Sequence, residues 1–191
     1  MIDDATIETG EATAPPLVLD KSLRLACYSI RAVALIWWLW SSALAFWIWS
    51  DRETTVGRWV KLYDLDPASV SAAGYYGSTL VVVAIAAVAA VMVYFVWRLT
   101  RSYLDGRVFT VEAAGQLRKV ALAGFAAVAA GVIGRPIQVA MISTSMFGKL
   151  PFYAWFGPPD LLYLVICGFL LALSVIFEAA AEIAEDNAKI V

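Results

Sequence analysis

The sequence predicts an all-α fold: a polytopic membrane protein with four transmembrane helices and helical extensions on the cytoplasmic side. Of its 191 residues, 62% are hydrophobic and 16% are charged, whereas a soluble domain is nearer half apolar and a quarter charged. The apolar residues are concentrated in four runs, three of them uncharged and the third along the chain with Arg135 as its one charge, and each run is long enough to cross a bilayer. No stretch has a convincing strand pattern. The chain is therefore expected to be a helical bundle in a membrane.

The N-terminal end is predicted to be a disordered acidic tail. Residues 1–20 hold five acidic side chains and the pair Pro15-Pro16, and they contain no apolar run. Such a segment offers too little apolar surface to offset the entropy of ordering. It also lacks the basic start and apolar centre of a signal peptide. Residues 21–191 are then expected to form a single four-helix membrane domain.

The first span is predicted at residues 32–50, and the basic segment before it, residues 21–30, can lie at the membrane surface. The span reaches about 28 Å at 1.5 Å per residue, close to the hydrocarbon thickness of a bilayer. It contains five tryptophans, of which two are placed at the aromatic belt and three deeper, where they are expected to pack between helices. The belt residues are Trp47 and Trp49, and the deeper residues are Trp37, Trp38 and Trp40.

The second span is predicted at residues 77–97, after a polar connection with a short surface helix at about residues 58–63. The span is rich in alanine and valine, and small side chains allow close helix contact in lipid. The alanines expected to make such contacts are Ala84, Ala87 and Ala90.

Residues 98–119 form a basic polar corner between the second and third spans. Gly106 can adopt the left-handed conformation that ends a helix. Thr110 can accept a hydrogen bond as the N-cap of the next helix, and Glu112 adds favourable negative charge in its first turn. Phe109 is placed to pack against the start of that helix. The second and third spans are therefore predicted to form a helical hairpin.

The third span, residues 120–146, is interrupted by Arg135 and Pro136. Proline removes a backbone hydrogen bond and clashes with the preceding turn, so the helix should kink or partly unwind there. Gly131 and Gly134 precede the break and are expected to pack closely against a neighbouring helix.

Arg135 is the one ionisable residue placed well inside a predicted span. A charge there is costly, so we expect Arg135 to be paired, with Asp160 and Asp51 as candidate partners. Arg135, Gln138 and Asp160 then make a candidate intramembrane polar site for an anion or another ligand, together with Ser143 and Thr144. The alternative is that Arg135 is an anchor that reaches the outer headgroups.

The fourth span is predicted at residues 161–177, and it continues without a helix breaker into residues 178–191. Glu178, Glu182 and Glu185 recur there at positions i, i+4 and i+7. This spacing predicts an acidic helical extension beyond the membrane.

The distribution of basic residues predicts that both termini are cytoplasmic. With four spans, the termini share a side with the corner, and nine basic residues fall there: Lys21, Arg24, Arg31, Arg98, Arg101, Arg107, Arg118, Lys119 and Lys189. Four fall on the opposite side: Arg52, Arg58, Lys61 and Lys149. The side with more lysine and arginine usually faces the cytoplasm. A cysteine introduced at Thr55 should then be labelled from outside the cell, and one at Asp105 should be protected.

Composition also argues against several functional classes. The chain has no histidine, which removes the commonest metal ligand and proton shuttle. Cys27 and Cys167 are far apart and have no metal-site or redox spacing. A net charge of −2 gives no electrostatic reason for direct binding to nucleic acid. We therefore expect no enzyme activity, no cofactor and no metal.

Two strings resemble a known family. The string GRVFT at residues 106–110, with Glu112 and the pair Leu117-Arg118, resembles a segment of the bacterial membrane proteins grouped as domain of unknown function 2975. The string IFE at residues 176–178 and the ending EDNAKIV at residues 185–191 resemble that family's C terminus. Ala113 departs from the pattern, which favours asparagine there. The resemblance implies a multi-pass, four-helix protein of the bacterial inner membrane, often encoded beside small helix-turn-helix regulators, and it implies no established activity.

The predicted function is that of a membrane-bound partner or modulator of a cytosolic regulator. Residues of the corner and of the C-terminal helix are the candidate docking site, namely Arg107, Phe109, Thr110, Glu112, Arg118, Glu178, Glu182, Glu185 and Asn187. We expect the corner and the helix to touch, with Phe109 against Ile183 or Ala179 and Arg107 or Arg118 facing Glu182 or Glu185. Further expected partners are the lipid bilayer and other copies of the chain. The alternative function is a small-molecule or ion transporter or channel subunit that uses the broken third helix.

Overall fold

The computed structural model describes residues 21–63, 70–108, 110–142 and 156–190. These residues form five helices and no strand. The helices are α1 (Lys21–Ser50), α2 (Arg52–Tyr63), α3 (Ala72–Leu104), α4 (Val111–Ile142) and α5 (Pro158–Ile190). Four of them are long and apolar enough to cross a membrane: α1, α3, α4 and the part of α5 that spans Pro158–Ala184. The predicted all-α fold with four transmembrane helices is confirmed, and the predicted tail at residues 1–20 lies outside the described residues.

The basic segment before the first span is part of α1. α1 is one helix of 30 residues, because no proline or glycine interrupts it before Ser50. Arg31 lies against α3, where its Nε donates a hydrogen bond to the Thr100 hydroxyl at 2.7 Å. Its guanidinium also lies 5.0 Å from the centre of the Trp97 ring. Arg31 is therefore packed on another helix, whereas Lys21 and Arg24 are exposed.

The surface helix after α1 is longer than predicted, because its N-cap lies further upstream. Asp51 accepts hydrogen bonds from the backbone N–H of Glu53 at 3.0 Å and of Thr54 at 3.3 Å. The Thr54 hydroxyl also donates to the Asp51 carboxylate. These bonds lower the pKa of Asp51 below its usual value, and the bond from the Thr54 hydroxyl has the largest effect. The helix α2 therefore begins at Arg52 and not near residue 58.

α1 lies along α3 and presents most of its large side chains outward. α3 contacts both α1 and α4, and α4 contacts α5. The indole N–H of Trp38 donates to the carbonyl oxygen of Ala86 at 3.1 Å, so this deep tryptophan packs between helices as predicted. The same prediction is wrong for Trp37 and Trp40, which are 52% and 67% exposed. An apolar surface of this kind suits contact with lipid.

α3 and α4 approach most closely through glycines. A Cβ atom at Gly74 would lie 2.1 Å from the backbone oxygen of Met141, and one at Gly134 would lie 2.6 Å from Cδ1 of Ile85. The predicted close packing of Gly134 is thus confirmed. The prediction for Gly131 is wrong, since a Cβ there would have no neighbour within 4 Å.

The proline in the third span does not unwind the helix. α4 is helical throughout Val111–Ile142, with Pro136 inside it. Of the two predicted outcomes, unwinding is therefore not found, and a bend at Pro136 stays a prediction. Residues 143–146, the predicted end of this span, lie outside the described residues.

The corner between α3 and α4 has the predicted stop and start signals. Gly106 has a φ of 81°, and its N–H donates to the Tyr103 carbonyl at 3.1 Å while the Arg107 N–H donates to the Ser102 carbonyl at 3.1 Å. This pair of bonds is the Schellman motif that ends a helix. The Thr110 hydroxyl accepts from the N–H of Ala113 at 3.1 Å and so caps α4.

A cluster of apolar side chains joins α3, α4 and α5 next to the corner. Leu99 of α3 packs with Leu117 and Val120 of α4, and Phe177 of α5 packs against them. This cluster fixes where α5 leaves the bundle relative to the corner.

Candidate functional sites at the two ends of the bundle

Arg135 of α4 forms a two-pronged ion pair with Asp160 of α5. The Arg135 Nη1 atom lies 2.6 Å from the Asp160 Oδ2 atom, and Nη2 lies 2.9 Å from Oδ1. Asp160 is 4% exposed, whereas the Arg135 side chain is 45% exposed. Of the two predicted partners, the structure places Asp160 against Arg135, while Asp51 caps α2.

Asp160 also fixes the start of α5. Its Oδ2 atom accepts from the Gly157 N–H at 2.8 Å, and the carboxylate lies in the first turn of the helix, where negative charge is favourable. One carboxylate therefore orders the beginning of α5 and ties it to α4. This geometry supports a structural clamp between the two helices.

Gln138 belongs to the contact between α3 and α4. Its backbone oxygen accepts from the hydroxyl of Ser78, which is fully buried, at 3.1 Å. Among the described residues, no hydrogen bond joins the Gln138 side chain to Arg135 or Asp160. Ser143 and Thr144, the other expected members of a polar site, lie outside the described residues.

Three of the predicted docking residues make contacts within the corner. Arg107 Nη1 lies 3.1 Å from a Glu112 carboxylate oxygen, and Nη2 lies 3.5 Å from one of Asp105. Thr110 is the N-cap of α4. Of the two arginines expected to face the C-terminal helix, Arg107 pairs within the corner, because Glu112 is only one helical turn from the bend. Such exposed pairs stabilise a protein little.

Three of the other predicted docking residues are exposed. Arg118, Glu182 and Asn187 are exposed, and Glu178 is half-buried. The predicted contacts of Phe109 and Glu185 cannot be placed, since Phe109 and the side chain of Glu185 lie outside the described residues. Ala181 of α5 is buried, so the helix is still covered on one side beyond Phe177.

A polar cavity at the corner was not predicted from the sequence. This corner cavity has a volume of about 380 Å³ and lies between the last turns of α3 and the first turns of α4. Arg98, Arg101 and Gln116 line it. Gln116 is 4% exposed. It lies three residues after Ala113 and four before Val120, on the apolar face of α4, and this spacing was the signal for a buried polar group.

These features define a class: a multi-pass membrane protein with four spanning helices, in which α3, α4 and α5 meet around a capped polar corner. The chain belongs to the family described as protein of unknown function (DUF2975), whose model matches residues 32–191. The match includes the corner and α5, where the two resembling strings lie. No curated protein and no solved structure matches the chain.

Proposed function

We propose that this protein is a non-enzymatic membrane protein that holds a cytosolic helix-turn-helix regulator at the membrane surface. The observation that carries the proposal is the length of α5. Its 33 residues span about 50 Å at 1.5 Å per residue, against about 30 Å for the hydrocarbon of a bilayer. The last turns of α5 therefore extend beyond the membrane as an ordered, charged helix.

The surface of this extension suits a basic partner. Glu182 and Asp186 are exposed there, next to Ile183, which is 63% exposed. An exposed apolar residue between acidic residues offers both an anchor and a charge pattern to a partner. A DNA-binding domain presents lysine and arginine to phosphates. Acidic residues of α5 that pair with these lysines and arginines would compete with DNA. The regulator bound at the membrane would therefore not bind its operator.

Two observations support a cytosolic regulator as the partner. The resemblance to the DUF2975 family implies a small helix-turn-helix regulator encoded nearby. Arg118 and Lys119 of α4, which are also exposed, add a basic patch that an acidic partner surface can contact. The chain itself is not proposed to bind DNA. The bilayer, and a second copy of the chain against the outward side chains of α1, are the other partners we propose.

We expect a small helix-turn-helix protein to be encoded beside this chain, and docking is tested with that protein and the purified full-length chain. Reversing the charge in Glu182→Lys should weaken binding at least tenfold, about 1.4 kcal/mol, because an acidic contact becomes a repulsive one. The melting temperature should stay unchanged, since Glu182 is exposed. Fluorescence anisotropy measures the affinity, and added operator DNA should displace the regulator.

Glu53→Lys is the matched control, because Glu53 is also exposed but lies on α2, at the other end of the bundle. It should leave the affinity unchanged. Equal binding by the Glu182 variant, or binding that operator DNA does not compete with, contradicts the proposal.

The proposal requires cytoplasmic termini, which cysteine labelling in intact cells can test. Thr55 is a poor labelling position, because it is 2% exposed and its hydroxyl donates to the Ile48 carbonyl. Glu53 is exposed, so Glu53→Cys should react with a membrane-impermeant maleimide while Asp105→Cys should not. The parent chain is the control, since Cys27 and Cys167 are buried. The reverse labelling pattern would place the docking surface outside the cell.

A transporter or channel subunit ranks second among the proposed functions. This function would use a broken third helix with a polar site at Arg135. Within the described residues, α4 stays helical through Pro136, and both terminal nitrogens of Arg135 contact Asp160. These observations favour a structural role for the pair.

A further inference from the structure

The corner cavity contains a buried polar atom that lacks a partner. The Gln116 Oε1 atom is inaccessible to solvent and accepts no hydrogen bond from the described residues. Leaving a buried acceptor unpaired costs free energy, so such atoms are rare in folded proteins. Gln116 also lines the cavity, so a turn of its side-chain amide towards the cavity would let a bound molecule with a hydroxyl or other donor group satisfy this atom.

The same cavity offers positive charge that the protein does not use internally. Arg107 is held by Asp105 and Glu112. Arg98 and Arg101 are exposed and lie one turn apart on α3, and neither forms an ion pair within the described ranges. Two arginines on one wall suit a phosphate group, which the planar guanidinium binds through paired hydrogen bonds.

The cavity is amphipathic along α3. Tyr94 and Trp97 line its side towards the centre of the span and are 58% and 41% exposed. Arg98 and Arg101 lie towards the end of the helix. Aromatic rings with a polar edge are typical of the membrane–water interface. A molecule with a phosphate at the arginines and an apolar chain along Tyr94 matches this order, whereas a free phosphate would leave the aromatic side unused.

We propose that the corner cavity binds the headgroup of an anionic phospholipid that carries a hydroxyl group, of the phosphatidylglycerol type. Arg98 and Arg101 bind the phosphate, and the headgroup hydroxyl donates to Gln116 Oε1. The acyl chains run past Tyr94 into the bilayer. Basic pockets beside membrane helices are known to hold such headgroups. The proposal does not depend on the regulator, since it concerns the cavity wall and not the exposed end of α5.

The test is the melting temperature of the purified full-length chain in a mild detergent, titrated with defined lipids. Phosphatidylglycerol should raise the melting temperature saturably, as expected for a ligand of the folded state, and zwitterionic phosphatidylethanolamine should not. Arg101→Gln should weaken the apparent affinity for phosphatidylglycerol by about tenfold, because a charge-assisted bond to phosphate is lost. Arg118→Gln is the matched control: it removes an exposed arginine of the same corner outside the cavity lining and should leave the affinity for phosphatidylglycerol unchanged.

Gln116→Leu separates binding from folding. The substitution removes the unpaired acceptor while keeping a similar volume, so the melting temperature without lipid should stay equal or rise. The affinity for phosphatidylglycerol should nevertheless fall several-fold. A residue that served only the fold would not show these opposite changes.

Two results would overturn the proposal. In the first, inorganic phosphate or glycerol 1-phosphate replaces the lipid. If either raises the melting temperature as strongly as phosphatidylglycerol does, the ligand is a soluble phosphate. If Arg118→Gln weakens the lipid effect as much as Arg101→Gln does, the attraction is a general property of the basic corner and the cavity is no site.

Discussion

Replacing Arg135 with alanine is expected to lower the free energy of unfolding by about 3 kcal/mol, the lower end of the cost of breaking a buried ion pair. The substitution leaves the Asp160 carboxylate, which is 4% exposed, with the Gly157 N–H as its described partner. A buried charge without its counter-ion is the costly element. The lower end applies because the Arg135 side chain is 45% exposed. Unfolding by SDS in mixed micelles measures the change.

Asp160→Asn should cost less, about 1 kcal/mol. The amide keeps an oxygen for the Gly157 N–H, and the half-exposed Arg135 can turn towards water or lipid headgroups. The double variant with Arg135→Ala and Asp160→Asn should be more stable than Arg135→Ala alone, since no charge is then buried. Arg52→Ala, at an exposed arginine, is the control and should change stability by less than about 0.5 kcal/mol. Additive losses in the double variant would show that the pair is no clamp.

Gly74→Ala is the second substitution with a large expected effect. Its Cβ would lie 2.1 Å from the backbone oxygen of Met141, so α3 and α4 must move apart. Overpacking of this kind costs about 1–3 kcal/mol, and the melting temperature in detergent should fall accordingly.

Two other glycines of the α3–α4 pair provide graded controls. A Cβ atom at Gly131 would have no neighbour within 4 Å. Gly131→Ala should therefore stabilise α4 by about 0.5–1 kcal/mol, since alanine is the better helix former. Gly134→Ala meets Cδ1 of Ile85 at 2.6 Å, the flexible end of a side chain, and should fall between the two. If Gly74→Ala is as stable as Gly131→Ala, the close approach of the backbones is not what joins these helices.

The sequence did not predict correctly which small residues lie at the contacts between helices. Small residues in the second span were predicted to make such contacts at Ala84 and Ala87, yet both are exposed. The contacts lie instead at Gly74 and Gly77, near the start of α3, against Met141. A sequence shows which residues are small, but the crossing point of two helices decides which of them meet a neighbouring backbone.

The pairing of Arg135 shows a similar limit. The cost of a charge inside a span predicted a partner and reduced the candidates to Asp160 and Asp51. Asp51 is used by the N–H groups that follow it, a local arrangement whose signal is the nearby Thr54. Asp160 meets Arg135 because the start of α5 packs beside α4, a contact between residues 25 positions apart.

The four spans and the corner with its Gly106 stop and Thr110 cap can be predicted from composition and spacing. These features depend on apolar run length and on hydrogen bonds between residues a few positions apart. The arrangement of the helices was needed to show which glycines bring helices together, which acid neutralises Arg135, and that Gln116 lines a cavity beside two arginines. Those outcomes depend on how the helices cross, which is set by the packing of side chains far apart in the chain.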